Sequence, residues 1–198
     1  MEKLTILHAG AYPAHRDLAL RLKGGDLKAP AEAAALLLPL VDEIALITGK
    51  QDIVLVPLPS HTGRPTYMLH VAQMVASLRG RDTTTVFPYL RSEPHESRHA
   101  LKHGGVPARD IPAASVRYTA PRTAEAYHRL AKTATPVLLD DIADTGASLL
   151  AARLATGAEY AAVLDTTENT FTEAPAEEPD PDQTFLEVLA MAAAIHAR

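Results

Sequence analysis

Residues 137–149 run Val-Leu-Leu-Asp-Asp-Ile-Ala-Asp-Thr-Gly-Ala-Ser-Leu, and few folds accommodate that order. Pro136–Asp140 (PVLLD) reads as a strand buried on both faces, the kind a parallel sheet needs. It brings two adjacent carboxylates, Asp140 and Asp141, to its carboxyl end. A turn of small residues follows: Ala143, Asp144, Thr145, Gly146, Ala147 and Ser148. Ala147–Ala155 then reads as a helix. Gly146 lets backbone approach a ligand closely. The first N–H groups of a helix, helped by its dipole, attract an anion, and Thr145 and Ser148 add hydroxyls. One end of the segment therefore suits a phosphate. The other end would repel phosphate but suits sugar hydroxyls or a magnesium ion. A phosphorylated sugar satisfies both.

The rest of the chain alternates in the same way. Leu4–Leu7 reads as a strand, and His15–Lys23 as a helix that closes at Gly24-Gly25. Pro30–Ile47 is a helix, bent or restarted at Pro39. Asp52–Pro57 (DIVLVP) is a strand, followed by the turn-rich LPSHTGRP. Thr66–Leu78 reads as a helix, Thr83–Phe87 as a strand, Ser115–Thr119 as a strand and Arg122–Lys132 as a helix. Tyr160–Asp165 is a further strand. Strands alternating with helices predict an α/β fold with a mainly parallel sheet flanked by helices. Ligands in such sheets bind beyond the carboxyl ends of the strands. The segment from Pro88 to Pro112 is long, polar and basic, as functional loops often are. Residues 173–182 (EAPAEEPDPD) read as a solvated linker and Gln183–His196 as an amphipathic helix. The expected division is a main domain over 1–166, a linker over 167–182 and a terminal helix over 183–198. The apolar stripes at 33–40 and 186–195 read as core or oligomer contacts.

The chain has 198 residues, 19 Lys plus Arg and 24 Asp plus Glu, for a formal charge of −5. That balance gives no strong signal for nucleic-acid binding. Cysteine is absent, which excludes thiolate catalysis, disulfides and Cys-based zinc sites. The apolar run Ala33–Leu40, broken by Pro39, is too short to span a bilayer. Lys3 followed by LTIL imitates a signal peptide, but the apolar stretch stops at His8. A cytoplasmic location is the expectation.

The segment at 137–149 resembles the phosphoribosyl pyrophosphate (PRPP) motif of type I phosphoribosyltransferases: apolar residues, two acids, two more positions, then Asp-Thr-Gly. The resemblance implies an α/β core with a flexible hood loop. It also implies that PRPP, carried with Mg²⁺, gives its phosphoribosyl group to a nitrogenous base, or takes it back, with pyrophosphate as leaving group. On it, Asp140 and Asp141 hold the ribose hydroxyls, directly or through Mg²⁺, and Asp144, Thr145, Gly146, Ala147 and Ser148 cradle the 5′-phosphate. Pro57-Leu-Pro-Ser-His-Thr-Gly-Arg64 resembles the pyrophosphate loop, most closely in the ComF-like branch, so Ser60, His61, Thr62, Gly63 and Arg64 would face pyrophosphate. Leu22-Lys23 and the Ala-rich helix after it suit that branch as well. Arg91, Arg98, His99 and Lys102 lie where the hood would be. The similarity spans about residues 12–166. Asp144 replaces the Thr usual in that branch and is like the hypoxanthine–guanine branch, where this Asp is a base toward a purine nitrogen; a helix N-cap role would also suit it. Homodimers are common in the family.

Three other readings attach to the same residues. A regulator that binds PRPP or a nucleotide, or a competence-associated ComF-like protein, would keep the fold without catalysis. Asp144-Thr145-Gly146-Ala147-Ser148 also spells the aspartic protease motif, but that loop lies in β structure and works in pairs, whereas LLAARLA after it reads as helix. His95-Glu96-Ser97-Arg98-His99 matches the zinc-peptidase pattern and would make a zinc hydrolase. Arg98 beside the metal, Pro94 before it and the lack of a third ligand oppose that reading. Leu22-Lys23-Gly24-Gly25 copies another pyrophosphate loop in letters, but the charges of RDLALR at helical spacing make it a helix end.

Overall fold

A computed structural model describes residues 4–93, 116–144 and 146–167, with Val116 as backbone only. Five of its strands form one parallel sheet: β1 (Thr5–Ala11), β2 (Ile53–Pro57), β3 (Thr84–Val86), β6 (Thr135–Ala143) and β7 (Tyr160–Thr166). Their order is β1-β7-β6-β2-β3, and all four pairings are parallel. The α/β expectation holds. All five residues of β2 are buried, as a central strand covered on both faces requires.

Side-chain alternation divides the core into two layers. Leu55, Val137, Leu139, Ala162 and Leu164 pack on one side with Leu18, Leu22, Leu37, Val41, Ile44, Met68 and Val71. Those partners come from α1 (Arg16–Lys23), α2 (Ala29–Thr48) and α3 (Thr66–Arg79). Val54, Val56, Leu138, Ala161 and Val163 face the other side with Tyr127, Leu149 and Ala152. These belong to α4 (Pro121–Thr133) and α5 (Ala147–Thr156).

Three boundaries differ from the sequence expectation. α2 neither bends apart nor restarts at Pro39; it runs through it as one helix. Proline inside a helix costs ~3 kcal/mol. Leu37, Val41 and Ile44 are fully buried around it, and each such side chain contributes ~1.5–3 kcal/mol, which outweighs the loss. β6 extends three residues past Asp140, because β7 keeps pairing with it through Ala143. Finally, Leu90–Ser92 forms a short strand, β4, that periodicity did not reveal. It pairs antiparallel with β5 (Val116–Tyr118) in a separate two-stranded ribbon. Aromatic contacts hold the ribbon to the core: Phe87 lies 5.1 Å from Tyr89 and 5.2 Å from Tyr127, and Tyr118 lies 5.7 Å from Tyr127, centroid to centroid.

The linker after Thr167, the helix expected over 183–198 and most of the Pro88–Pro112 loop lie outside the described residues. Among the described residues, no helix is long and apolar enough to cross a membrane.

Candidate functional site

β2 leaves the sheet earlier than β6 does. The last pair between them is Pro57 with Leu139, followed by one bond from Leu58 N–H to the Leu139 carbonyl. Parallel strands turn alternate residues toward the same neighbour, so the N–H of Asp141 points where β2 has already gone. Asp140 accepts it: the Asp141 N–H donates to Asp140 Oδ1 at 2.9 Å. The Ile142 N–H donates in turn to Asp141 Oδ1 at 2.9 Å. Both acids thus lie within the strand, on opposite faces, where the sequence reading put them at its end.

Asp140 is half-buried and Asp141 buried. Asp141 is 4% exposed. Its Oδ2 lies 2.5 Å from Lys23 Nζ at the end of α1. The same ammonium lies 5.9 Å from the Tyr67 ring centroid. Burial, and then the field of Asp141, holds the Asp140 carboxyl well above the usual carboxylate range; Lys23 offsets this only in part. Burial and the two carboxylates likewise push the Tyr67 phenol far up. Two hard oxygen donors, one of them reluctant to ionise for want of positive charge, fit a magnesium ion or hydroxyl donors. Among the described residues, no three acidic or histidine side chains gather to enclose a metal. A cation would therefore complete its shell with water or with a bound ligand.

Beyond Ala143 the chain turns into α5. Gly146 is the N-cap, with φ 76° in the left-handed region that glycine tolerates best. It has no side chain to cap the helix. The Ser148 hydroxyl has no partner among the described residues. Ala147 and Ser148 occupy the first turn of α5, the end of a helix whose dipole favours an anion. Asp144 is not the N-cap, correcting one of its two expected roles. Thr167 holds it instead: Thr167 Oγ1 donates to the Asp144 carbonyl at 2.7 Å and lies 3.3 Å from its Oδ1. Thr145 lies outside the described residues. A helix follows Gly146, so the protease-like letters here do not form a β loop.

The loop at 60–64 follows β2 at the same end of the sheet. It is tied to itself. Gly63 N–H donates to the Ser60 carbonyl at 2.8 Å, Ser60 N–H to the Arg64 carbonyl at 3.0 Å, and Gly63 has φ 82°. Ser60 Oγ donates to the Arg64 carbonyl at 3.1 Å and lies 2.8 Å from Thr62 Oγ1. These hydroxyls, expected to be donors to a ligand, shape the loop. The cations are what remain available. His61 and Arg64 are exposed, and neither has an ion-pair partner among the described residues. Ser92 N–H donates to the Gly63 carbonyl at 3.3 Å, joining β4 to this loop. Its neighbour Arg91 donates, among the described residues, only to the carbonyls of Pro88 and Leu90, at 2.9 and 2.7 Å. Burial and the nearby Arg64 lower the Arg91 pKa. Two guanidinium groups close enough to feel each other's charge, with no carboxylate paired to either among the described residues, favour a multivalent anion. Arg98, His99 and Lys102, and the whole 95–99 zinc pattern, lie outside the described residues.

Sequence reasoning missed four side chains here. Lys23 and Tyr67 are brought to the acids only by the packing of α1 and α3. Asp165, fully buried on β7, accepts the His15 N–H at 2.8 Å, and its other oxygen lies 2.7 Å from His15 Nδ1. Asp165 stands in register with Ile142 and Gly10. No local signal could join residues 15 and 165. Comparisons with protein-family models, with curated proteins and with solved structures find no match to this chain.

Proposed function

We propose that this protein is a phosphoribosyltransferase that binds PRPP with Mg²⁺ and exchanges pyrophosphate for a nitrogenous base at the anomeric carbon. One observation carries the reading: a half-buried Asp140 next to a buried Asp141, and a left-handed glycine at a helix start, lie a few residues apart toward the carboxyl end of one central strand. The first suits a ribose diol, the second its 5′-phosphate. Arg64 and Arg91, with no ion-pair partner among the described residues and their segments joined by the Ser92–Gly63 bond, stand on the side reached from β2.

Each group then has a part in the displacement. Asp140 and Asp141 accept the ribose O–H groups and would also hold the magnesium, which when bound offsets charge on the pyrophosphate. As the bond to pyrophosphate lengthens, positive charge grows on the sugar ring and negative charge on the leaving oxygens. Arg64 and Arg91 stabilise the latter from fixed positions, which is where such catalysis gains most. Asp144, anchored through its carbonyl by Thr167, is the candidate to accept a proton from the incoming nitrogen.

Calorimetry with PRPP and Mg²⁺ tests the reading. The wild type should bind, and the Asp140→Asn/Asp141→Asn double variant should lose binding by at least a hundredfold, on the scale of two charged hydrogen bonds at ~1.5–3 kcal/mol each. A wild type as silent as the double variant would refute it. Pyrophosphate release with a panel of bases separates an enzyme from a regulator, since a regulator binds PRPP without turnover.

A further inference from the structure

Asp165 is fully buried, yet it is an acid. Burying a carboxylate is costly unless its oxygens are paired. One residue pairs both of them: the His15 N–H donates to Oδ2 at 2.8 Å, and the His15 imidazole meets Oδ1 at 2.7 Å. A carboxylate only accepts, so Nδ1 carries the hydrogen and the lone pair is left on Nε2, across the ring. Nε2 has no partner among the described residues, and the imidazole side chain is 22% exposed. Gly10 belongs to the same construction. A Cβ there would stand 2.9 Å from His15 Cε1, so the absence of a side chain is what lets the ring come this close to β1.

The pair stands beside the site already described. Gly10 and Asp165 are each the last residue but one of their strands, at the carboxyl end of the sheet. By strand alternation, Asp165 shares a face with Val163, and Asp140 with Leu138. Val163 and Leu138 pack in one layer with Leu149 of α5. Register sets Asp165 opposite Ile142, two residues on from Asp140, and strand geometry then puts the Cα atoms of the two acids about 8 Å apart. A pentose and the first ring of a base can bridge that span. The acid assigned to the ribose, the helix start assigned to its phosphate and the imidazole thus belong to one face at one end of the sheet. A purely structural pin would not need an acid at residue 165, since an asparagine oxygen also accepts a backbone N–H. What a buried carboxylate adds is a fixed tautomer and support for the positive charge an imidazole gains with a proton.

We propose that His15, held by Asp165, is a proton acceptor for the incoming base, additional to Asp144. This rests on the phosphoribosyl reading above and adds to it a catalytic residue outside both motif loops. As the base nitrogen bonds to the anomeric carbon, the bond from that carbon to the pyrophosphate oxygen breaks, and its electron pair leaves with pyrophosphate. The proton released by the base nitrogen passes to His15 Nε2 and from there to water. Asp165 is the positioning residue.

Calorimetry with PRPP and Mg²⁺, set beside steady-state pyrophosphate release with adenine, guanine, hypoxanthine, uracil and cytosine, decides it. His15→Asn keeps an amide N–H in the place of Nδ1, and with it the bond to Asp165, but has no basic nitrogen beyond. It should melt near the wild type and bind PRPP with wild-type affinity. With whichever base the wild type accepts, its kcat should fall by roughly a hundredfold or more, the scale of a lost general base. His15→Gln, which has an amide but no basic nitrogen either, reads the same split should the asparagine variant fail to fold. A wild-type kcat in the variant would overturn the proposal. So would a loss of PRPP affinity that matches the loss of rate, which leaves the pair as a pin between β1 and β7. If the wild type binds no PRPP, the phosphoribosyl reading itself fails and this proposal falls with it. If it binds PRPP and turns over none of these bases, the proton acceptor is refuted and the PRPP site stands.

Discussion

Asp140 is a carboxyl group kept where it is uncomfortable. Its folded-state pKa is raised, by burial first and by Asp141 second. A raised carboxyl favours the folded state fully below its unfolded pKa, and that contribution disappears as pH rises through the folded value. At neutral pH, Asp140 therefore works against the fold. Asp140→Asn keeps an Oδ1 acceptor for the Asp141 N–H and removes the charge. It should raise the melting midpoint by several degrees at pH 7–8, while the difference from the wild type shrinks toward pH 4. Melting curves across that range check the sign; a variant less stable at pH 8 than at pH 4, relative to the wild type, would contradict it. Gain of stability with loss of ligand binding is what a site held ready for an absent partner predicts.

At the scale of elements, the 60–64 loop and β4 behave as one unit. Ser92 ties them through Gly63, and Arg64 and Arg91 are set against each other. Arg64→Ala removes repulsion and no ion pair among the described residues. It should leave the melting midpoint nearly unchanged and weaken pyrophosphate binding by roughly tenfold. Titration of pyrophosphate with Mg²⁺ measures this, and full affinity in the variant would remove Arg64 from the site. The strand that brings Arg91 here was not legible in the sequence. Three residues give no period to detect, and Leu90-Arg91-Ser92 is a strand only because Tyr118 and Phe87 give it something to pack on. The longer elements were legible, since β2, β6 and α2 carry their apolar runs openly. So was the Asp140–Gly146 segment, because its chemistry is contiguous. The placement of the acids inside β6 was not, because it depends on where β2 stops. The helix end at Lys23 was read from Gly24-Gly25, yet what its side chain does was hidden: Asp141 is remote in sequence, and only packing brings them together.

Across the whole molecule, the sheet order matters most. β7 lies between β1 and β6, pairing Thr5 with Tyr160 on one side and Val137 with Tyr160 on the other. His15 and Asp165 reinforce the first of these seams. A chain ended after Gly157 would leave β1 with no neighbour, strip one side of β6 and remove Val163 and Leu164, both fully buried, from the core. It should show no cooperative thermal transition by circular dichroism, and a sharp transition in that fragment would show that β7 is dispensable. Asp165→Asn tests the seam more gently and should lower the midpoint, because a fully buried acceptor loses charge-assisted bonds worth ~1.5–3 kcal/mol each.

That seam also sets a schedule. A ribosome releases the first strand early, and it must wait, edge open, while about 150 further residues emerge. The acids, the glycine turn and the basic loop are all outside the exit tunnel before the strand that locks them together arrives. Nascent or prematurely ended chains thus carry the side chains of the proposed site without the frame that aligns them, and on that reading competence to bind waits for β7.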